Sequence, residues 1–239
     1  MMSNHQILHP AAHGSLRVLT GARAEFGDAV MACLTVPAEF RRLACEYPIV
    51  FRHDAAKGSF AALALLGFEP GENLYLEGGG WNASCRPLAM SVQPFLVGRP
   101  QNGEGPAQVH VDLGHPRISN TGEGMRVFTD EGLPTPFLEE IAGMLGSLDE
   151  GYRTSADFFS ALDRYDLLEP FSMDVPLADG SVNRFVGYHL VNEDRFRALE
   201  AGALAELQAG GHLLPACMAI ASIGNLGKLV QRKNRRVGG

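Results

Sequence analysis

The segment His110-Val111-Asp112 has the residue types and the spacing best suited to chemistry. Residues two apart on an extended strand point to the same face, so the imidazole and the carboxylate could bind one metal ion. Two histidines and one carboxylate hold iron in non-haem Fe(II) oxygenases, and the third ligand here would be distant in sequence, with His189 better spaced than His212. However, eight histidines make so short a pattern common by chance. The sequence therefore favours an ordinary strand and no cofactor, with iron at His110, Asp112 and His189 as the alternative.

Trp81 and Arg86 are the candidate binding residues. Trp81 is the single tryptophan and directly follows three glycines, a position at which a large amphipathic ring could be displayed to a ligand or a protein partner. Packing of the ring against the core is the simpler alternative. Arg86 follows Cys85, but neighbours on a strand point to opposite faces, so the pair predicts a structural cysteine rather than a reactive thiol.

Known catalytic signatures are missing from the sequence. Residues 78–83 satisfy G-x-G-x-x-A, but Pro87 prevents the helix that would hold a dinucleotide pyrophosphate, so a glycine-rich turn is predicted instead. Neither a P-loop nor the G-x-S-x-G pattern of a serine hydrolase occurs. The four cysteines contain no C-x-x-C pair and are predicted to be reduced core residues. Catalysis is therefore not the expected role.

Composition limits the partners that the chain can bind. Its 239 residues carry a net charge of −7, which argues against a nucleic-acid binder. Five cations near the C-terminus are predicted to form a solvated helix end, with an anionic partner as the alternative. They are Lys228, Arg232, Lys233, Arg235 and Arg236.

A cytoplasmic protein without a membrane span is expected. Residues 1–14 lack the basic and apolar segments of a secretory signal. The most apolar stretch, residues 213–226, is predicted to be a buried helix too short to cross a bilayer, which needs about 20 residues.

The elements that must position these residues predict an α+β fold. Short β-like runs at 49–51, 60–66, 73–76, 91–95 and 109–113 favour antiparallel pairing. An Asp179-Gly180 turn predicts a hairpin near 171–190. Helices are predicted after Thr135, Thr154 and Asn192 and onward to Lys233, packed on the mainly antiparallel sheet that the N-terminal half and the hairpin form. The predicted organisation is a flexible tail (1–14), one domain (15–233) and a basic tail (234–239).

Several segments in order carry a family resemblance. They are Val36-Pro37-x-Glu39-Phe40, Tyr47 to Phe51, Leu66-Gly67-Phe68, Gly71 to Tyr75, Trp81, Pro87, Pro94-Phe95 and Gly124 through Phe128 to Gly132. With these motifs the chain resembles the bacterial SapC family over residues 15–230. One departure is Cys85, where the family pattern leads us to expect an aromatic residue.

The resemblance implies an accessory role, because the family takes its name from a surface-layer gene cluster and its members are often encoded beside outer-membrane receptors and flavin-dependent halogenases. It implies no catalytic residues. We therefore expect an accessory or interaction protein of a Gram-negative bacterium, linked to cell-envelope, surface-layer or nutrient-uptake systems, with a protein partner and with export only by a dedicated route. The alternative is a metal-dependent oxidative enzyme, or a helper to one, that uses His110 and Asp112.

Overall fold

The computed structural model describes residues 4–55, 58–99 and 107–237. The chain forms two compact units. The first consists of residues 1–29, 76–81 and 88–150, and the second of residues 30–75, 82–87 and 151–239. The single domain over residues 15–233 stays a prediction.

The described residues contain twelve strands, most of them short. In chain order they are β1 His5–Ile7, β2 Arg17–Val18, β3 Ala32–Thr35, β4 Ile49–Asp54, β5 Ser59–Leu65, β6 Leu76–Glu77, β7 Gly80–Trp81, β8 Phe95–Gly98, β9 Gln108–Asp112, β10 Met125–Arg126, β11 Leu168–Pro176 and β12 Val182–Val191.

Eight α-helices are described, together with three single turns of 3₁₀ helix at Ala24–Phe26, Pro37–Glu39 and Ile223–Asn225. The α-helices are α1 Pro10–His13, α2 Phe40–Leu43, α3 Leu88–Ser91, α4 Pro136–Arg164, α5 Glu193–Arg197, α6 Ala201–Ala209, α7 Leu213–Ser222 and α8 Leu226–Val237.

Every pairing among the described strands is antiparallel, and together with the helices this confirms the α+β prediction. In the second unit one five-stranded sheet has the order β11-β12-β4-β5-β3, so strands of the N-terminal half pair with the predicted hairpin. The first unit contains a three-stranded sheet, β1-β9-β8, and the two-stranded sheets β10-β2 and β6-β7.

Local sequence signals explain the elements that were predicted well. The Thr135 hydroxyl accepts the Leu138 amide at 3.4 Å and caps α4. In the hairpin, Asp179 Oδ1 accepts the Ser181 amide at 2.9 Å. The Asn192 side chain caps α5 through the Arg195 amide at 2.8 Å.

Three local predictions differ from the structure. The predicted second helix after Thr154 is part of α4, because the Thr154 hydroxyl donates to the Gly151 carbonyl within the helix instead of capping a new one. The strand predicted at residues 73–76 is a turn up to Tyr75, because Asn73 Oδ1 accepts the Tyr75 amide at 2.9 Å. The strand predicted at 91–95 begins only at Phe95, after α3.

The predicted flexible tail contains regular structure. Strand β1 pairs with β9, with His5 opposite Asp112 and Ile7 opposite His110. Helix α1 follows it. His9 Nδ1 accepts the Ala11 amide at its start, and His13 Nδ1 accepts the His9 amide at 3.1 Å. The sequence predicted a tail because the partners of these residues lie about a hundred positions away.

Aromatic rings fill the core of the second unit. Phe51 of β4 packs edge-on against Phe158 and Phe159 of α4, at centroid distances of 6.3 and 5.2 Å. Phe40 of α2 completes the cluster 5.8 Å from Phe158. Burial of such rings contributes about 2–3 kcal/mol each, so this cluster fixes α2 and α4 on the sheet.

The last helices form one helical run, Leu213–Val237, of 25 residues. It is longer than the sequence predicted, because Pro215 lies in the first turn and Gly224 lies in a 3₁₀ turn that does not end the run. Its most apolar window has a mean hydropathy of 1.5 and is 33% buried. Length and composition alone would allow this run to cross a membrane, a test that core helices of soluble proteins also pass. The absence of a span stays a prediction.

Candidate functional site

Asp112 is held by two backbone amides and by His5, a histidine that was not among the predicted metal ligands. Its Oδ1 accepts the amides of Asn4 at 3.0 Å and Gly114 at 2.9 Å, and its Oδ2 lies 3.6 Å from His5 Nε2. Desolvation raises the pKa of Asp112, but these amides and the nearby His5 and His115 outweigh it and lower the pKa. The carboxylate therefore fixes the N-terminal strand against β9.

His110 lies over a neighbouring strand. A Cβ atom added at Gly98 of β8 would come within 2.0 Å of His110 Nε2, so the imidazole occupies the space that this glycine leaves open. The contact is with β8, whereas His5 approaches Asp112 from β1, on the other side of β9. The two predicted ligands share a strand face but have different partners.

His189 belongs to the second unit, on strand β12 between β11 and β4, opposite Phe51 of β4. Its ring lies 4.9 Å from that of Phe60, which in turn lies 5.0 Å from His53. Desolvation, followed by the proximity of His53, lowers the pKa of His189. In the part of the chain that the structure describes, no three His, Cys, Asp or Glu side chains form a group that could hold a metal ion. The structure thus does not bring His110, Asp112 and His189 together as a ligand set.

Trp81 and Arg86 belong to different units. Trp81 lies half-buried in β7, paired with Leu76 of β6. Arg86 is half-buried in segment 82–87 of the second unit, where its carbonyl accepts a hydrogen bond from Arg42 Nη2 at 3.1 Å.

Segment 82–87 is fixed by side chains from three other parts of the second unit. The hydroxyl of Tyr47 donates to the Cys85 carbonyl, and Glu46 Oε1 accepts the Ser84 amide at 3.3 Å. Arg232 donates to the Asn82 carbonyl at 2.9 Å. The backbone of this short loop is therefore restrained at successive positions, while the side chains of Asn82 and Ser84 stay exposed.

Buried polar groups support the same segment from α2. Glu39 is 4% exposed and accepts hydrogen bonds from Thr35 at 3.0 Å and from Arg42 at 2.6 Å. Arg42 also donates to the Arg86 carbonyl, so the buried carboxylate orients the arginine that holds the loop.

Cys33 and Cys85 are not activated nucleophiles. Burial raises the pKa of the Cys33 thiol, and desolvation likewise raises that of Cys85. Both are therefore thiols rather than nucleophilic thiolates at neutral pH. All four cysteines are free, as predicted, but only Cys33 is buried, and Cys45 is exposed.

Three basic residues of α8 form what we term the C-terminal clamp: Arg232, Lys233 and Arg236. Lys233 is only 6% exposed, and its Nζ lies 2.7 Å from Glu72 Oε1 and 3.1 Å from Glu69 Oε1. Burial lowers the pKa of Lys233, but the hydrogen bonds to the two glutamates outweigh this effect and raise it.

The other two clamp residues bind the same loop. The Arg232 guanidinium lies 4.5 Å from the centroid of the Tyr75 ring, a cation–π contact, and Arg236 donates to the Asn73 carbonyl at 2.8 Å. The sequence predicted a solvated helix end for these cations. That prediction is wrong for Lys233, which is buried in an ion pair, and holds for Lys228 and Arg235, which are exposed. The sequence contained one indication of this burial. Lys233 lies at helical spacing from Leu226 and Leu229, and all three are buried on one face of α8.

Comparison with known proteins identifies the family of this chain. The family model described as SapC matches residues 8–229 of the 239. No curated protein and no solved structure matches the chain significantly. The motif residues Glu39, Tyr47, Glu72 and Tyr75, which the resemblance rested on, are those that hold α2, segment 82–87 and the C-terminal clamp. Because the match covers nearly the whole sequence, the chain belongs to the SapC family.

Proposed function

We propose that this chain is an accessory protein that binds a protein partner through segment 82–87 of the second unit. The observation that carries the proposal is the restraint of this segment by Arg42, Glu46, Tyr47 and Arg232. A loop fixed before binding loses little conformational entropy on association, so its exposed side chains can contribute their contacts in full. Asn82 and Ser84 are the exposed positions on this fixed backbone.

The polar groups around this segment support an interaction role over a catalytic one. Tyr75 donates to the Glu46 carbonyl at 2.9 Å, and desolvation raises the pKa of its hydroxyl. The hydroxyls of Tyr75 and Tyr47 and the guanidinium of Arg42 each donate to a backbone carbonyl. These contacts position a surface; none of them matches a nucleophile with a base.

A photo-crosslinking amino acid placed at Ser84 tests the proposal in cells of the source bacterium. We expect one or a few discrete crosslinked species at Ser84 and none at Val186, an exposed control position on β12. Substitution of Asn82 by Arg should reduce the crosslink at least tenfold by steric and charge interference. Equal crosslinking at both positions, or none at Ser84, would contradict the proposal.

The cellular setting belongs to the proposal too. The family name supports a link to cell-envelope, surface-layer or nutrient-uptake systems, and a cytoplasmic location is the second part of this proposal. Fractionation of the source bacterium with an antibody to the chain tests the location. Recovery mainly with the outer membrane or the culture medium would contradict it.

The alternative is a metal-dependent oxidative function of His110 and Asp112. Their shared face on β9, with His5 3.6 Å from Asp112, is the observation that favours it. Iron and zinc measured in the purified chain, beside His110→Ala and Asp112→Ala, test this alternative. Stoichiometric metal that both substitutions remove would support it, and a metal content that neither substitution changes would reject it.

A further inference from the structure

A cleft lies in the second unit, away from segment 82–87 in sequence. It is formed by the last two turns of α4, the end of α6 and the residues that join α6 to α7, and its volume is about 440 Å³. Small-molecule pockets in proteins range over roughly 300–1,000 Å³, so the cleft has the size for a compact ligand.

One wall of the cleft carries a donor and an acceptor side by side. The Tyr165 hydroxyl donates to Glu206 Oε2 at 2.5 Å, and Arg164 Nη1 lies 3.2 Å from the same oxygen. The bond from Tyr165 is the main cause that lowers the pKa of Glu206, and Arg164 adds to it. Glu206 is therefore ionised at neutral pH, and it leaves its second oxygen and the other Arg164 N–H groups for a ligand.

The rest of the lining combines apolar side chains with an imidazole. Leu207 is buried, and the imidazole of His212 packs edge-on to Phe158 with 6.1 Å between the ring centroids. A Cβ atom at Gly210 would lie 2.7 Å from His212 Cδ2, so the glycine gives this ring its place in the cleft. His212 therefore lines the cleft together with Arg164 and Glu206.

The charges of the lining restrict the ligand. Glu206 offsets Arg164, and Asp157 adds a further carboxylate beside Ser160. The lining disfavours a phosphate or another multivalent anion, because Arg164 offsets only one of the two carboxylates. A neutral molecule with neighbouring hydroxyls could instead donate to Asp157 and Glu206 and accept from Arg164 and Ser160. Its C–H groups could contact Ala161 and His212, which are half-buried in the lining.

We propose that this cleft binds a small neutral polyhydroxylated molecule, a monosaccharide or a cyclic polyol. The assignment goes beyond the partner-binding role above and does not depend on it. Arg164 and Glu206 are 71% and 62% exposed, and exposed charged groups contribute little in water, so we expect a dissociation constant of about 1–10 mM.

NMR titration of the full-length ¹⁵N-labelled chain tests the proposal, with D-glucose and myo-inositol as probes and with putrescine and inorganic phosphate as charged comparisons. We expect saturable shifts of the amide signals of Ala161, Leu207, Gly210 and His212 with at least one of the neutral probes. Asp157→Ala and Arg164→Ala should each weaken that binding about two- to fivefold, the loss expected for exposed charged groups. Asp163→Ala, which removes the same charge from the same helix outside the cleft lining, should leave it unchanged.

Distinct results would overturn the assignment. The first is no saturable shift at the cleft with either neutral probe, while the spectrum stays that of a folded chain. The second is tighter binding of putrescine or phosphate than of the neutral probes. Equal weakening by Asp163→Ala would show that general charge, rather than the cleft, causes the response. Gly210→Ala, which displaces His212, provides a second check, because it should weaken binding without any change of charge.

Discussion

Replacing Lys233 by Met should destabilise the chain substantially, although the residue lies in a helix that the sequence marks as a solvated basic end. The lysine side chain is 8% exposed, and its main partner Glu72 is 13% exposed. Met keeps the aliphatic stem that packs in the same space and removes only the charge and its donors. The change thus isolates the ion pair from the packing.

The loss of stability depends on the hydrogen bonds that Glu72 retains in the variant. Removing one partner of a buried ion pair costs about 3–5 kcal/mol, because the other charge stays buried without compensation. Here Glu72 Oε2 still accepts the Phe68 amide at 2.9 Å, so the lower end, about 3 kcal/mol, is expected. In a chain of this length such a loss lowers the melting temperature by about 6–12 °C.

Matched variants separate the pair from general surface effects. Glu69 is 52% exposed, so Glu69→Gln should cost no more than about 1 kcal/mol. Arg184→Gln disrupts an exposed pair with Asp174 and should change stability by less than about 0.5 kcal/mol. Urea unfolding measures the free energies, and hydrogen exchange of the α8 amides locates the effect.

The pH dependence of stability gives an independent test of the ion pair. The pKa of Lys233 is raised above its ordinary value of 10.5, so the pair contributes fully below that value and is lost as the pH rises through the raised pKa. The wild type should therefore lose stability in alkali faster than Lys233→Met. A stability of Lys233→Met within about 0.5 kcal/mol of the wild type, or no greater loss than Glu69→Gln, would refute the reasoning.

Three other substitutions test the first unit. Gly98→Ala should cost about 1–3 kcal/mol by overpacking against His110, and the added substitution His110→Ala should recover much of the loss in thermal unfolding. Because the pKa of Asp112 is lowered, its contribution to stability is present above the ordinary value of 3.8 and is lost as the pH falls through the lowered pKa. Asp112→Asn should therefore lose less stability in acid than the wild type. An equal loss in both would contradict this prediction. Arg117→Met should cost about 3–5 kcal/mol, because Asp28 is 1% exposed and loses the Nη2 group that donates to both of its oxygens, at 2.6 and 2.8 Å. Unchanged stability of the folded variant would contradict this prediction.

Sequence reasoning succeeded where the determinants are local. The Asp179-Gly180 turn specifies its hairpin within a few residues, and the caps Thr135 and Asn192 mark the starts of α4 and α5. It failed where a residue is defined by a distant partner. His5 pairs with Asp112 across more than a hundred positions, and Lys233 meets Glu72 across 161. Local sequence patterns extend over a few turns or one strand, so they cannot reveal partners that lie so far apart.

The same distinction explains why the motifs of the family do not identify a reaction. Glu39, Glu72 and Tyr75 have the chemical character of catalytic residues, yet in this fold they bond to Arg42, Lys233 and Glu46 and thereby fix backbone that has no regular structure of its own. Loops that cannot satisfy their amides and carbonyls in helices or sheets need such side chains, because each unsatisfied buried group costs about 1–3 kcal/mol. Polar motifs in a loop-rich chain are therefore expected even without catalysis. What a partner or a ligand meets is the set of exposed side chains that this framework holds in place.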